Sequence, residues 1–191
     1  MKFQSDIDID FADRNDILKR IRYIPASIQN SAHNTGIYVT NIPVDPFTGR
    51  SSLDYKEAEQ RGYCKLDFLN VNLYKQINNE NHLIELMNRE PPWDKLYTRS
   101  FCEQIIHINN HYDTLIRMPE SVNTIPRLAM FLAVIRPGKR HLIGLPWSKV
   151  GQTIWQRPSD GEYYYKKSHG IAYAHLVVVN MNLLDLSNQG N

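Results

Sequence analysis

Asp6-Ile7-Asp8-Ile9-Asp10-Phe11 alternates acid and apolar residue without a break. The two-residue period of an extended chain sends Ile7, Ile9 and Phe11 to one face and three carboxylates to the other, so the segment reads as a strand with one apolar and one acidic side. Carboxylates one pleat apart repel, and a row of them on a partly buried face raises their pKa values unless cations neutralise it. A hard divalent cation is the simplest remedy, because oxygen-only ligands suit Mg²⁺ or Mn²⁺. Directly downstream, Asp13 has the place of an N-cap for a helix over Ile17, Leu18 and Ile21. Lys19, Arg20 and Arg22 fall toward the C-terminal end of that helix, and Pro25 is its expected stop.

After a looser stretch, residues 26–34, the β-branched and aromatic run Gly36-Ile37-Tyr38-Val39-Thr40-Asn41 reads as a second strand. Asp54 and Glu57 have capping-box spacing before a short helix that Gly62 closes, and Tyr63 to Leu69 reads as a third strand. Its alternation sets Cys64, Leu66 and Phe68 on one face and Lys65 with Asp67 on the other. With that strand beside the first, Asp8, Asp10 and Asp67 can hold two ions about 4 Å apart, the arrangement of two-metal phosphoryl transfer. In the competing reading the acids line a solvated strand face. On the metal reading, relief of acid repulsion implies that Asp8→Asn or Asp67→Asn slightly stabilises the metal-free protein.

The remaining chain reads as mostly helical. Phe101, Ile105, Ile108, Tyr112 and Leu115 keep a 3.6-residue period up to Pro119, and Thr124 with Pro126 opens a helix through Leu128, Leu132 and Ile135. A hairpin is expected around Ser159-Asp160-Gly161 and fraying from Ser187 to Asn191, while Ile171 to Leu184 stays unassigned because Val177-Val178-Val179 opposes its helical length. Within 191 residues, 22 Lys+Arg against 20 Asp+Glu give a net charge of +2, so any polyanion site must be a local cluster. No run of about 18 uninterrupted apolar residues occurs and the N-terminus lacks the core of a signal peptide, so the expectation is a cytoplasmic protein without a membrane partner. Cys64 and Cys102 lack the spacing of a zinc or redox pair and read as buried thiols.

The acidic strand, continued by Asp13-Arg14, resembles the catalytic motif of the C-family replicative DNA polymerases, the alpha subunit of bacterial DNA polymerase III and its relatives, whose form is Pro-Asp-hydrophobic-Asp-hydrophobic-Asp-Phe. The resemblance continues in order. Ala32-His33-Asn34-Thr35-Gly36-Ile37-Tyr38-Val39 is similar to the family's His-x-x-Gly-Val-Val-Ile strand, and residues 53–69 to the segment ending Gly-Leu-Val-Lys-Phe-Asp-Phe-Leu-Gly. Residues 128–138, ending Ile135-Arg136-Pro137-Gly138, resemble the helix ending Tyr-Arg-Pro-Gly-Pro, and His169-Gly170-Ile171-Ala172-Tyr173 more weakly its Tyr-Gly-Ile segment.

This resemblance implies an α+β fold: a polymerase-beta-like nucleotidyltransferase palm over residues 1–80 with a helical, fingers-like region over 81–191. It implies Asp8, Asp10 and Asp67 as catalytic ligands of two Mg²⁺ or Mn²⁺ ions, with Asp6 supporting them. Lys65, Arg136, His33 and Gly36 are the implied nucleotide-binding residues. The expected ligands are a nucleoside triphosphate and primer-template DNA. The family's Gly-Ser triphosphate grip does not precede Asp6 here, the segment between Asp10 and His33 is shorter, and the final Gln-Glu is replaced by Ala174-His175. The expectation is therefore a minimal replication protein, virus-encoded or split, that needs a partner chain. The alternatives are a degenerate palm acting as a binding or regulatory factor in a replication complex, and nucleotide transfer to RNA or a protein hydroxyl.

Lys139-Arg140 and Lys166-Lys167, the latter after Tyr163-Tyr164-Tyr165, are candidate DNA contacts, the tyrosines offering either stacking surfaces or cross-strand packing. His107 and His111 have metal-ligand spacing on the expected helix, but no Glu follows His107, and they read as a solvated helix flank.

Overall fold

The computed structural model describes residues 6–157 and 165–189. The fold is mixed α+β and separates into two compact units, Met1–Asn78 and Asn79–Asn191.

The first unit is built on strands β1 (Asp6–Phe11), β2 (Ile24–Ile28), β3 (Ser31–Tyr38) and β4 (Lys65–Asn70), with helices α1 (Arg14–Leu18) and α2 (Tyr55–Gln60). The sheet order is β1-β4-β3-β2, with β1 parallel to β4 and the other pairs antiparallel. Asp13 caps α1 as its position implies, its carboxylate accepting from the Asn15 N–H, but the helix ends at Leu18. Pro25 therefore lies in a strand rather than at a helix stop. Residues 24–38 form a β-hairpin instead of the expected loose segment, turning through Gln29 (φ 45°) and Asn30 (φ 65°). Two successive positive φ values are the geometry of a type I′ turn, which an Asn supports and a Gln does not advertise.

Asp54 caps α2 by accepting from the Lys56 N–H, and also accepts from the Gln29 N–H, tying the hairpin turn to the helix. Gly62, at φ 87°, follows the helix in the left-handed conformation that glycine adopts without strain. Ala26, Tyr38, Ile42 and Ala58 are buried together between the sheet and α2. On the opposite face the Phe11 and Phe68 rings lie 4.7 Å apart, so the apolar side of the acidic strand packs at its C-terminal end, whereas Ile7 at its start is exposed.

The second unit is helical: α3 (Glu80–Asn88), α4 (Arg99–Cys102), α5 (Tyr112–Leu115), α6 (Ile125–Val134), α7 (Trp147–Thr153) and α8 (Lys167–Gln189). Thr124 caps α6 through the Arg127 N–H. The expected helix over residues 101–115 is broken into α4 and α5, because His107 adopts φ 67°, which no right-handed helix accommodates. Phe101, Ile105, Ile108 and Leu115 are nevertheless all buried, so the periodicity marked the core correctly and the backbone wrongly.

The unassigned segment lies within α8, which also runs through Ser187 to Gln189, where fraying was expected. Val177, Val178, Val179 and Met181 are all buried, which a helix achieves when it is packed on several sides, here by α3 and α6. Such a helix carries no single apolar stripe for a periodicity search to find. By length and composition α8 also passes as a membrane span (mean hydropathy 1.2), with 56% of its apolar window buried inside the protein. Asp185, buried on α8, is met by Lys95 Nζ at 2.5 Å and by Arg89, and Asn182 donates to the Leu86 and Arg89 carbonyls at the end of α3. Both cysteines are free; Cys102 is buried, which pushes its thiol up to about 11, whereas Cys64 is only half-buried. The expected hairpin at Ser159-Asp160-Gly161, with Tyr163 and Tyr164, lies outside the described residues.

Candidate active site

Parallel pairing of β1 with β4 puts Asp8 opposite Asp67, and antiparallel pairing of β4 with β3 puts Asp67 opposite Gly36. Residues paired across adjacent strands project to the same face, with strands about 4.8 Å apart. Asp8, Asp67 and Gly36 thus form one row across the sheet, and Asp10 follows one pleat further along β1. Three of the expected acids share a face for a reason set entirely by register.

Asp10 is half-buried, and burial followed by the charge of Asp8 raises its pKa, while a hydrogen bond from Tyr74 partly offsets the rise. Burial and the Asp10 charge raise the pKa of the Tyr74 phenol in turn. Tyr74 comes from the 3-10 turn Asn72–Gln76 directly after β4, a position that no spacing or motif marks in advance.

Asp67 is buried, and both of its oxygens have donors. Thr35 Oγ1 donates to Oδ1 at 2.7 Å, and Lys65, two residues before it on the same face, forms a close ion pair with Oδ2. Lys65 reaches back across the sheet because Gly36 leaves it room: a Cβ at position 36 would lie 2.8 Å from Lys65 Cδ, 2.9 Å from His33 Nδ1 and 3.1 Å from Ala26 Cβ. The Lys65 ammonium also lies 5.8 Å from the centre of the Tyr55 ring, against whose edge His33 packs.

Thr35 and His33 reach Asp67 because β3 is irregular. Pro25 pairs with Ile37 and Ser27 with Ala32, so the single residue Ala26 faces the four residues 33–36. Bulges of this kind bend a strand and re-aim its side chains. The bulge is pinned from two sides: the Gly36 N–H donates to His33 Nδ1 at 2.9 Å, and the Arg14 guanidinium donates to the Asn34 carbonyl. Simple alternation would send His33 and Thr35 away from the acids, which is why a strand reading of 36–41 leaves Thr35 unnoticed.

His33 Nδ1 stands 3.7 Å from Asp67 Oδ1, a distance that suggests an ion pair. Its Nδ1 is the acceptor for the Gly36 N–H, however, which requires the neutral ring. Burial and then the Lys65 charge lower its pKa, in agreement with that hydrogen bond. Below pH about 6.5 the unfolded chain therefore takes up a proton that the folded protein resists, and stability falls as pH drops through that region. Denaturant melts between pH 5 and 8 are expected to show this slope, and His33→Asn to make it shallower; an unchanged slope would place the imidazole outside this network.

Among the described residues no three His, Cys, Asp or Glu side chains stand close enough to share one ion. The donors nonetheless suit a hard cation: two carboxylates in register across adjacent strands, a third whose pKa is raised by burial and by the charge of Asp8, and an ammonium already seated on one of them.

The other expected ligand residues belong to the second unit. The Arg136 guanidinium lies 4.9 Å over the Tyr165 ring and its buried Nε has no hydrogen-bond partner. Lys139 donates to the Thr153 and Gln156 carbonyls. Arg140 is exposed, as is Lys167 at the start of α8, where Lys166 is half-buried. His107 and His111 do not share a helix, and both are partly buried rather than on a solvated flank. Burial and nearby arginines lower both pKa values, and His107 packs 4.7 Å from the Tyr173 ring. No protein-family model, curated protein or solved structure matches the chain.

Proposed function

We propose that the chain is a metal-dependent nucleotidyltransferase whose first unit acts as a palm of the polymerase-beta-like kind, similar in its acidic motifs to the C-family DNA polymerases. The observation that carries this reading is the register that sets Asp8 against Asp67 with Asp10 one pleat on, all on one face. Two divalent ions bound there would activate a 3′-hydroxyl and stabilise the charge developing on a leaving pyrophosphate.

The chain's own residues prepare for that chemistry. Asp8 and Asp67 offer oxygens from neighbouring strands, and a hydrogen bond from Tyr74 holds Asp10. Thr35 holds Asp67 from the side away from Lys65, and Lys65 supplies a cation for phosphate. Gly36 keeps the floor of the site low, and neutral His33 holds the bulge in shape. In the second unit Arg136 is the candidate nucleotide contact, and Lys139, Arg140, Lys166 and Lys167 are the candidates for DNA. A nucleoside triphosphate and primer-template DNA are the proposed ligands, and a partner chain in a replication complex, in the cytoplasm, would supply further triphosphate grip.

The test is transfer of labelled α-phosphate from mixed deoxy- and ribonucleoside triphosphates onto a primed template, with Mg²⁺ or Mn²⁺. Wild-type incorporation that drops about a thousandfold or more in Asp8→Asn/Asp10→Asn is the expected result, since the metals' share is worth several kcal/mol. Equal signal in the variant would remove these acids from the chemistry. A second reading, a palm that has become a binding or regulatory factor, is favoured by the Lys65–Asp67 pair, which neutralises one acid without any metal. No incorporation together with no Mn²⁺ binding would select it.

A further inference from the structure

Asp67 has a basic side chain seated on it, the Lys65 ammonium from the same strand. Lys65 and Asp67 are two residues apart on the same face of β4, and extended geometry holds such side chains roughly parallel rather than touching. Their contact exists because the Lys65 stem bends through the space above Gly36, where any Cβ would meet it at 2.8 Å. The two oxygens of Asp67 are also divided by kind of donor. Thr35 gives Oδ1 a neutral hydroxyl at 2.7 Å, which can stay in place beside a metal, whereas Oδ2 carries an ammonium, which cannot share an oxygen with a divalent ion at close range. A cation that takes Oδ2 must displace Lys65.

We propose that Lys65 is a displaceable counter-ion, through which the acid site takes a divalent cation and a phosphate-bearing ligand together in preference to either alone. This rests on the reading of Asp8, Asp10 and Asp67 as metal ligands. Without ligand, Lys65 keeps Asp67 neutralised within the sheet. A metal that takes Oδ2 releases an ammonium beside itself, where it has no carboxylate partner and a phosphate group satisfies it. A phosphate that draws Lys65 off Asp67 leaves an uncompensated buried carboxylate, which raises affinity for the metal. Linkage makes the two effects equal: phosphate tightens the metal by the factor by which the metal tightens phosphate. The Tyr55 ring beside the ammonium gives the lysine an intermediate resting place between the two partners.

Mn²⁺ binding to the 191-residue chain, measured by the loss of free-ion electron paramagnetic resonance signal with and without inorganic phosphate, tests the proposal in wild type and Lys65→Met. Wild type is expected to bind Mn²⁺ weakly alone and about tenfold more tightly with phosphate. Lys65→Met is expected to bind Mn²⁺ alone about tenfold more tightly than wild type and to gain little from phosphate. Lys65→Arg, which keeps the charge, is expected to bind Mn²⁺ alone as weakly as wild type. Equal metal-only affinity in wild type and Lys65→Met overturns the counter-ion role while leaving the metal site standing. Absence of Mn²⁺ binding from every variant overturns both. Should Lys65→Met not fold, wild type still decides: no gain in Mn²⁺ affinity from phosphate overturns the proposal.

Discussion

Asp67→Asn is expected to destabilise the metal-free protein by on the order of 3 kcal/mol, because it leaves the Lys65 ammonium without its charge partner in a mostly desolvated position. The Lys65 and Asp67 side chains are only 13% and 10% exposed, so solvent does little to screen the loss. Acid repulsion alone predicts the opposite sign, and for Asp67 the structure reverses it: this acid is already paired. Asp10→Asn is expected to follow the repulsion argument and stabilise the protein at neutral pH. A folded pKa raised above the ordinary carboxylate value means that Asp10's contribution to stability is present only at acidic pH and is lost as pH rises through the folded value. Urea melts of the two variants at pH 7 should therefore move in opposite directions. A shared direction would mean that the acids respond as one cluster, as the sequence alone suggests.

Gly36→Ala is the second large expected effect, about 1–3 kcal/mol of destabilisation from overpacking. The glycine is required here by space, since it does not adopt a positive φ. Of the atoms its Cβ would approach, Lys65 Cδ belongs to a flexible stem and can yield, but His33 Nδ1 is tied to the Gly36 N–H and Ala26 Cβ belongs to the adjacent strand. The variant must move the bulge or eject Lys65 from Asp67. Its Mn²⁺ affinity distinguishes the two, rising if the lysine is ejected and staying low if the bulge shifts. A Gly36→Ala variant as stable as wild type would mean that the slot is not filled in solution.

Strict alternation made β1 and β4 legible in the sequence, because a strand with one apolar face writes its period directly into the residues. That legibility extended to the shared face of Asp8, Asp10 and Asp67, which needs only the alternation and a pairing of the two strands. The β2–β3 hairpin was obscured by two features. Pro25 looks like a helix stop although it lies in an end strand, and Gln29 occupies a turn position where Gly, Asn or Asp would have announced a reversal. Thr35 was hidden for a different reason, since three extra residues in β3 cancel the period on which face assignment depends. Tyr74 reaches Asp10 from a short turn that has no pattern of its own. In the second unit the buried positions were readable while the backbone was not: His107's left-handed conformation leaves the spacing of apolar residues intact, and burial on several sides erases the stripe of α8.

The sheet order carries one more consequence. β1 is an end strand, hydrogen-bonded in the sheet to β4 alone, whereas β4 lies between two neighbours. Local opening is cheapest where one ladder rather than two must break. Asp8 and Asp10 thus ride on the part of the sheet most able to breathe, and Asp67 on the part least able. In hydrogen exchange, backbone amides of β1 should exchange faster than those of β4, and an ion held between Asp8 and Asp67 should slow β1 selectively by tethering the outer strand to the inner one.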